Sequence, residues 1–192
     1  MGKLGFYFNM EHCIGCHACQ TACKDRGDLP VGSNFRQVNH YETGEYPEAR
    51  WYHTSLACNH CADPACVRNC PSGAMFIAED GTVQHDDEMC IYCLTCVNKC
   101  PYGAPVPVEA LGVVRKCDSC KPLRDAGQNP ACVDACVQRA LEFGDLEELK
   151  AAHADEELVN DLPCLPAPDT QPSLLIHPKP YAKEKDFMRM YL

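Results

Sequence analysis

The sequence predicts an α+β fold of short strands and short helices joined by long loops, arranged as one small unit inserted in another and closed by an extended C-terminal arm. Three observations predict it. Fifteen Pro and 12 Gly cut the 192 residues into short elements. Of 17 Cys, 16 fall into four clumps of four. The two middle clumps repeat one another, and the outer two flank them.

Alternating apolar and aromatic residues predict strands over residues 5–9, 51–56, 74–78 and 112–116. Short helices are expected beside the clumps, over residues 18–25, 64–69, 94–99 and 131–137. Asp145 is placed to cap a further helix, with Glu147 and Glu148 in its first turn. The gap from Cys23 to Cys58 holds loop material such as Gly32-Ser33-Asn34 and Gly44-Glu45-Tyr46-Pro47, and no cofactor motif. After the last helix come Pro163, Pro166, Pro168, Pro172, Pro178 and Pro180, which predict an extended segment. It reads as a disordered tail or as an arm that docks on a partner, and the apolar Leu174-Leu175-Ile176 favours docking.

Composition removes several function classes. A net charge of −10 supplies no basic face for nucleic acid. No apolar run is long enough to cross a bilayer. Between Met1 and Cys13 there is no room for a secretory signal, so none is expected. No Ser/His/Asp set, phosphate-cradling Gly loop or motif-placed carboxylate pair is present. The expectation is a protein with no catalytic centre of its own.

The cysteine spacing carries the chemistry. The clumps are Cys13-x2-Cys16-x2-Cys19-x3-Cys23, Cys58-x2-Cys61-x4-Cys66-x3-Cys70, Cys90-x2-Cys93-x2-Cys96-x3-Cys100 and Cys117-x2-Cys120-x11-Cys132-x3-Cys136. Disulfide frameworks belong to short secreted chains. Zinc draws its ligands as two separated pairs around one ion. Four Cys within eleven residues instead match the bacterial ferredoxin run, C-x2-C-x2-C-x3-C-P. Three Cys on a short loop wrap three corners of a [4Fe–4S] cube, and the fourth starts a helix that carries its sulfur toward a neighbouring cube. Pro71 and Pro101 follow Cys70 and Cys100 as that run requires. A zinc protein remains the alternative that metal analysis separates.

The second clump continues as Cys70-Pro71-Ser72-Gly73-Ala74 and the third as Cys100-Pro101-Tyr102-Gly103-Ala104. Residues 50–108 thus read as a ferredoxin-like unit for two clusters, inserted in a second made of 1–49 plus 109–145, with 146–192 as the C-terminal helix and partner-docking tail. Gly15, Gly73 and Gly103 are placed to let backbone approach sulfur. His12, His17 and His60 neighbour the cysteines but read as loop residues or hydrogen-bond donors, because each clump already holds four Cys. Lys24, Arg68, Lys99, Lys116, Lys121 and Arg139 read as surface charge or as partial neutralisation of buried clusters. Cys164 has no partner and reads as a plain thiol. With four clusters bound, the net charge falls to about −18.

Longer motifs carry a resemblance. They are Cys58-Asn59-His60-Cys61-Ala62-Asp63-Pro64-Ala65-Cys66, Cys70-Pro71-Ser72-Gly73-Ala74-Met75, Cys100-Pro101-Tyr102-Gly103-Ala104-Pro105, Lys116-Cys117-Asp118-Ser119-Cys120 and Arg139-Ala140-Leu141-Glu142-Phe143-Gly144. Over residues 5–149 the chain resembles the four-cluster iron–sulfur subunits of molybdopterin oxidoreductases, those of the dimethyl sulfoxide reductase kind above all. It departs where Val137 follows Cys136, a position usually held by Pro in that family. The resemblance implies four ligand sets, carried over by position: Cys13, Cys16, Cys19 with Cys136; Cys117, Cys120, Cys132 with Cys23; Cys58, Cys61, Cys66 with Cys100; and Cys90, Cys93, Cys96 with Cys70.

The implied function is electron transfer through four [4Fe–4S] clusters, to or from a large molybdopterin (Mo or W) catalytic subunit. A membrane quinol-oxidising anchor or a soluble donor would serve the other end, in anaerobic respiration. Two further readings stay open: a subunit of a hydrogenase or formate dehydrogenase, and a free-standing polyferredoxin. The resemblance leans toward a membrane-associated complex exported by a partner's twin-arginine signal, with residence in the cytoplasm as the alternative.

Overall fold

A computed structural model describes residues 2–166 and 169–191. Its core is a three-stranded sheet ordered β8-β1-β9. The central strand, β1 (Leu4–Asn9), is buried along nearly its whole length. Phe6 and Phe8 join the large core cluster on one face, while Tyr7 packs on the other with Leu149 and Leu175. A strand covered on both faces carries a continuous apolar run rather than an alternation, which is what Gly5-Phe6-Tyr7-Phe8 supplies.

From β1 the chain enters α1 (Ala18–Arg26), then the hairpin of β2 (Gln37–Thr43) and β3 (Arg50–Leu56), which pairs Tyr41 with Tyr52. The inserted part follows: α2 (Ala65–Arg68), the hairpin β4 (Met75–Ile77) with β5 (Val83–His85), α3 (Thr95–Lys99), and the hairpin β6 (Val106–Val108) with β7 (Val113–Arg115). The chain returns through α4 (Lys121–Asp125) and α5 (Ala131–Asp134) to β8 (Leu141–Asp145), antiparallel to β1 with Phe6 opposite Phe143. Asp145 caps α6 (Leu146–Ala152), its carboxylate accepting from the N–H groups of Glu147 and Glu148.

Three expectations are corrected. The segment between Cys23 and Cys58, expected to hold loop material and a strand only over 51–56, also contains β2. Its sequence, Gln-Val-Asn-His-Tyr-Glu-Thr, hides a strand because His40 and Thr43 are buried like its apolar residues. The helix expected over 131–137 stops at Asp134, since the chain must turn at Cys136 so that the Ala140 N–H meets the Cys136 sulfur at 3.2 Å.

The third correction concerns the C-terminal arm, which docks on its own chain. Leu174-Leu175-Ile176 form β9 (Leu174–His177), parallel to β1, with Ile176 fully buried. β10 (Phe187–Met190) adds an edge to β2. Between Pro166 and β9, the stretch Thr170–Ser173 runs along the second cysteine loop, bonding Ala62, Asp63 and Asn59 through the backbone. Pro168 lies outside the described residues. A tail built into the core does not distinguish a partnered subunit from a free carrier. Replacing Ile176 by Ala is expected to cost about 2–5 kcal/mol, read as a lowered thermal midpoint of the anaerobically purified protein. An unchanged midpoint would restore the free-arm reading.

Candidate metal centres

Each clump opens with the same local conformation. The residue two places after the first cysteine lies in the left-handed region: Gly15 (φ 69°), His60 (φ 43°), Tyr92 (φ 54°) and Ser119 (φ 53°). This turn aims backbone N–H groups inward, the arrangement of an anion-binding nest. The His60 N–H reaches the Cys58 sulfur at 3.5 Å and the Ser119 N–H reaches Cys117 at 3.4 Å. The Gly15 N–H bonds Cys13 in the same way. Gly15 is also required by space, since a Cβ there would stand 2.8 Å from His40 and 2.9 Å from His53.

Two pairs of helices then bring cysteines of different clumps side by side. α1 carries Cys19 and Cys23 one turn apart and packs against α5, which carries Cys132 and leads into Cys136. α2 and α3 pack in the same way, carrying Cys66 toward Cys70 and Cys96 toward Cys100.

The thiols gather accordingly. Cys13, Cys16, Cys19 and Cys136 line one cavity. Burial first, then the neighbouring Cys19, Cys136 and Cys16, push the Cys13 thiol up to about 11. Cys58, Cys61, Cys66 and Cys100 line a second cavity, together with Thr170 and Lys116. Burial pushes Cys66 up to about 12 and Cys61 to about 11, the latter against a hydrogen bond from the Thr170 hydroxyl. Cys23 is pushed up to about 12, chiefly by burial, with Cys132 and Cys120 as its cysteine neighbours; Cys117 is pushed well up by burial and neighbours Cys23, Cys58 and Cys132. Cys70 neighbours Cys93 and Cys96, and Cys90 also neighbours Cys96. Burial acts to raise Cys70, but the Met75 N–H and the Ser72 hydroxyl bring it below its ordinary value.

These quartets fit a cubane. Among the described residues no three His, Cys, Asp or Glu side chains converge on one ion, as the ligands of a single zinc must. Each cubane iron takes its own thiolate, so the sulfurs stand apart around a cavity, with N–H donors facing them.

Packing also sets an order. One apolar cluster contains Cys13, Cys19, Cys132 and Cys136. A second contains Cys23, Cys58, Cys100 and Cys117. The third contains Cys66, Cys70, Cys90 and Cys96. Each cluster joins cysteines of two successive quartets. Among the described residues the only exposed cysteines are Cys16 and Cys93, in the first and last quartets of that row.

Other candidates resolve differently. Of the six basic residues singled out from sequence, only Lys116 is buried, and its ammonium donates to Val83 O and Cys117 O. Arg68 pairs with Asp63, Lys121 with Asp125, and Lys24 bonds Ser33 O. His60 accepts at Nδ1 from the Val83 N–H at 3.1 Å, so it acts as an acceptor in the loop. His17 is the first of three imidazoles in a row: His17 Nε2 meets His40 Nε2 at 2.7 Å, and His40 Nδ1 meets His53 Nδ1 at 2.9 Å. Burial, then His40, pushes His53 down to about 4. Cys164 packs beside the main core, where burial pushes its thiol up to about 11.

Four residues near the quartets carry no motif: Arg36, Ser55, Thr170 and His40. Arg36 is fully buried between the first two quartets, and Ser55 Oγ lies 3.2 Å from Cys19 Sγ. Isolated polar residues distant in sequence from the cysteines they approach give no signal that could have placed them.

Small sheets, short helices and cysteine quartets define an iron–sulfur protein of the ferredoxin class. A family model described as a 4Fe-4S dicluster domain matches residues 49–146. The sequence is 42% identical over 192 residues to the B subunit of anaerobic dimethyl sulfoxide reductase from Haemophilus influenzae, covering 95% of this protein and 93% of that one. It is 42% identical over 184 residues to the subunit of the same name from Escherichia coli, covering 92% and 89%. It is 40% identical over 141 residues to the thiosulfate reductase electron transfer subunit PhsB of Salmonella typhi, covering 72% and 73%. The protein belongs to the family of electron-transfer iron–sulfur subunits of dimethyl sulfoxide reductase-like reductases. Its cofactors are [4Fe–4S] clusters, four by the count of quartets.

The raised thiols give a pH dependence. Groups whose pKa lies near 11 or 12 in the folded protein, as at Cys13 and Cys66, are protonated near neutrality, whereas the ligand is the thiolate. Iron must therefore displace protons, and its binding to the apoprotein is expected to tighten steadily between about pH 7 and pH 9. Titration with ferrous iron under nitrogen measures this, and pH-independent affinity would contradict it.

Proposed function

We propose that the protein is a four-centre electron relay. The first centre is held by Cys13, Cys16, Cys19 and Cys136, and the second by Cys23, Cys117, Cys120 and Cys132. The third is held by Cys58, Cys61, Cys66 and Cys100, and the fourth by Cys70, Cys90, Cys93 and Cys96. Residues 50–108 would then hold the third and fourth centres, while 1–49 with 109–145 hold the first and second. The observation that carries the reading is the row of apolar clusters, each shared by two successive quartets.

Bound, the clusters supply one-electron carriers in series. The protein's part is to hold and insulate them. Thiolates fix each site, and the N–H groups of Gly15, His60, Met75, Val114, Ser119 and Ala140 meet sulfur that would otherwise be buried without donors. Phe8, Val38 and Leu141 line the cavity of the first centre, and Val83 with Pro101 that of the third, which gives both sites apolar walls.

The two ends are suited to partners. Ile14 and Val137 are exposed beside the first quartet, and Met89 and Ile91 beside the fourth. In this reading a large molybdopterin (Mo or W) catalytic subunit sits at the first-quartet end. A membrane quinol-oxidising anchor or a soluble donor serves the other. Among the described residues no helix is long and apolar enough to cross a membrane, so membrane attachment would come through the anchor. The reading of the protein as non-catalytic is supported by a relative named as the electron transfer subunit of a reductase.

The native protein is expected to contain about 16 iron and no zinc. The ligand exchange has a sharper test. Cys100 adjoins the third clump in sequence, yet Cys100→Ser is expected to abolish the same paramagnetic signal of the reduced protein as Cys61→Ser. If it abolishes the signal lost in Cys93→Ser instead, the exchange is wrong.

A further inference from the structure

Arg36 is the largest fully buried side chain of the described residues, 1% exposed, and it stands just before β2. A guanidinium keeps its charge inside a protein and brings five N–H donors. Here Nη1 donates to Ser55 O at 2.8 Å and to Ser55 Oγ at 3.2 Å. The guanidinium lies 4.8 Å from the centre of the Phe6 ring. Nε and Nη2 are buried and have no partner among the described residues. Its side-chain hydrogen bonds all go to the uncharged Ser55. A buried cation left in that state is costly unless negative charge lies close by.

The negative charge available is sulfur. Ser55 Oγ, which receives the Nη1 bond, lies 3.2 Å from Cys19 Sγ in the first quartet. The main-chain N–H of Arg36 donates to Cys23 in the second. The cysteines nearest to it electrostatically are Cys132, Cys19, Cys117 and Cys23, which belong to these two quartets and to no other.

We infer that Arg36 is a positioning residue shared by the first and second centres, its fixed charge and orphaned donors favouring the reduced state of both. Hydrogen bonds and net charge beside a cluster set its potential, so the pair around Arg36 holds an added electron more readily than the same pair without it. At the third centre the buried cation is Lys116, which lies near Cys66 but already donates to two carbonyl oxygens, whereas Arg36 keeps two donor nitrogens unpaired. The role differs from that of a ligand, since Arg36 acts on the clusters through space and through Ser55.

This inference rests on the four-centre reading. It is tested by potentiometric titration of the purified complex, following the paramagnetic signals, for the wild type, Arg36→Met and Arg36→Lys. In Arg36→Met two of the four midpoint potentials are expected to fall, those of the signals lost in Cys19→Ser and Cys117→Ser, while the other two stay. Arg36→Lys keeps the charge and loses the fork, so the same two potentials fall by less. If Arg36→Met does not take up iron, Arg36→Lys decides. Fully loaded variants with unmoved potentials, or with all four moved alike, overturn the inference. Loss of iron from both variants also overturns it, in favour of a purely structural role. A wild-type protein without four iron–sulfur centres would instead remove the four-centre reading itself.

Discussion

Backbone N–H groups turned onto cysteine sulfur are the contacts from which the remaining architecture follows. Buried sulfur anions are costly unless donors meet them. The chain supplies donors by forcing the residue after next to each leading cysteine into the left-handed region. His60, Tyr92 and Ser119 accept that conformation without being glycine, at a cost of about 1–3 kcal/mol each. Loops bent this tightly leave only short helices around them; even α1 spans 9 residues. The ordinary core is left to the sheet around β1, and there the C-terminal segment completes it.

The proposed exchange of fourth cysteines would let an inserted unit coexist with one continuous row of sites. α1 against α5 and α2 against α3 each tie two quartets together, while the cluster of Cys23, Cys58, Cys100 and Cys117 bridges the two pairs. Packing and redox order are thus the same feature seen twice. A side chain that fills space between quartets also sets the distance an electron crosses. The C-terminal stretch takes part as well, because Thr170 reaches back 109 positions to donate to Cys61.

What the sequence disclosed follows from where information is local. Cysteine spacing, the Pro71 and Pro101 that follow Cys70 and Cys100, short apolar and aromatic runs, and the Asp145 cap depend on near neighbours, and they located the clumps, β1, β3, α1 and α6. β2 was hidden because it is buried on both faces and the polar His40 and Thr43 share that burial with Val38 and Tyr41, so no alternation of apolar residues marks it. The tail misled because Leu174-Leu175-Ile176 is equally apt for a partner or for β1, and only the parallel register that sets Phe6 beside Leu174 decides. Arg36 was invisible for the same reason: its surroundings are assembled from β1, α1, α5 and Ser55 of β3, and the basic residues that do flank the cysteines turn outward, apart from Lys116.

The most direct test of the account is an anaerobic crystal structure phased on the anomalous signal at the iron edge. The account predicts four tetra-iron peaks in one row, each bonded by three cysteines of one clump and one of another, with Cys16 and Cys93 at the two ends. Four peaks each wrapped by the cysteines of a single clump, or peaks that appear at the zinc edge instead, would contradict it.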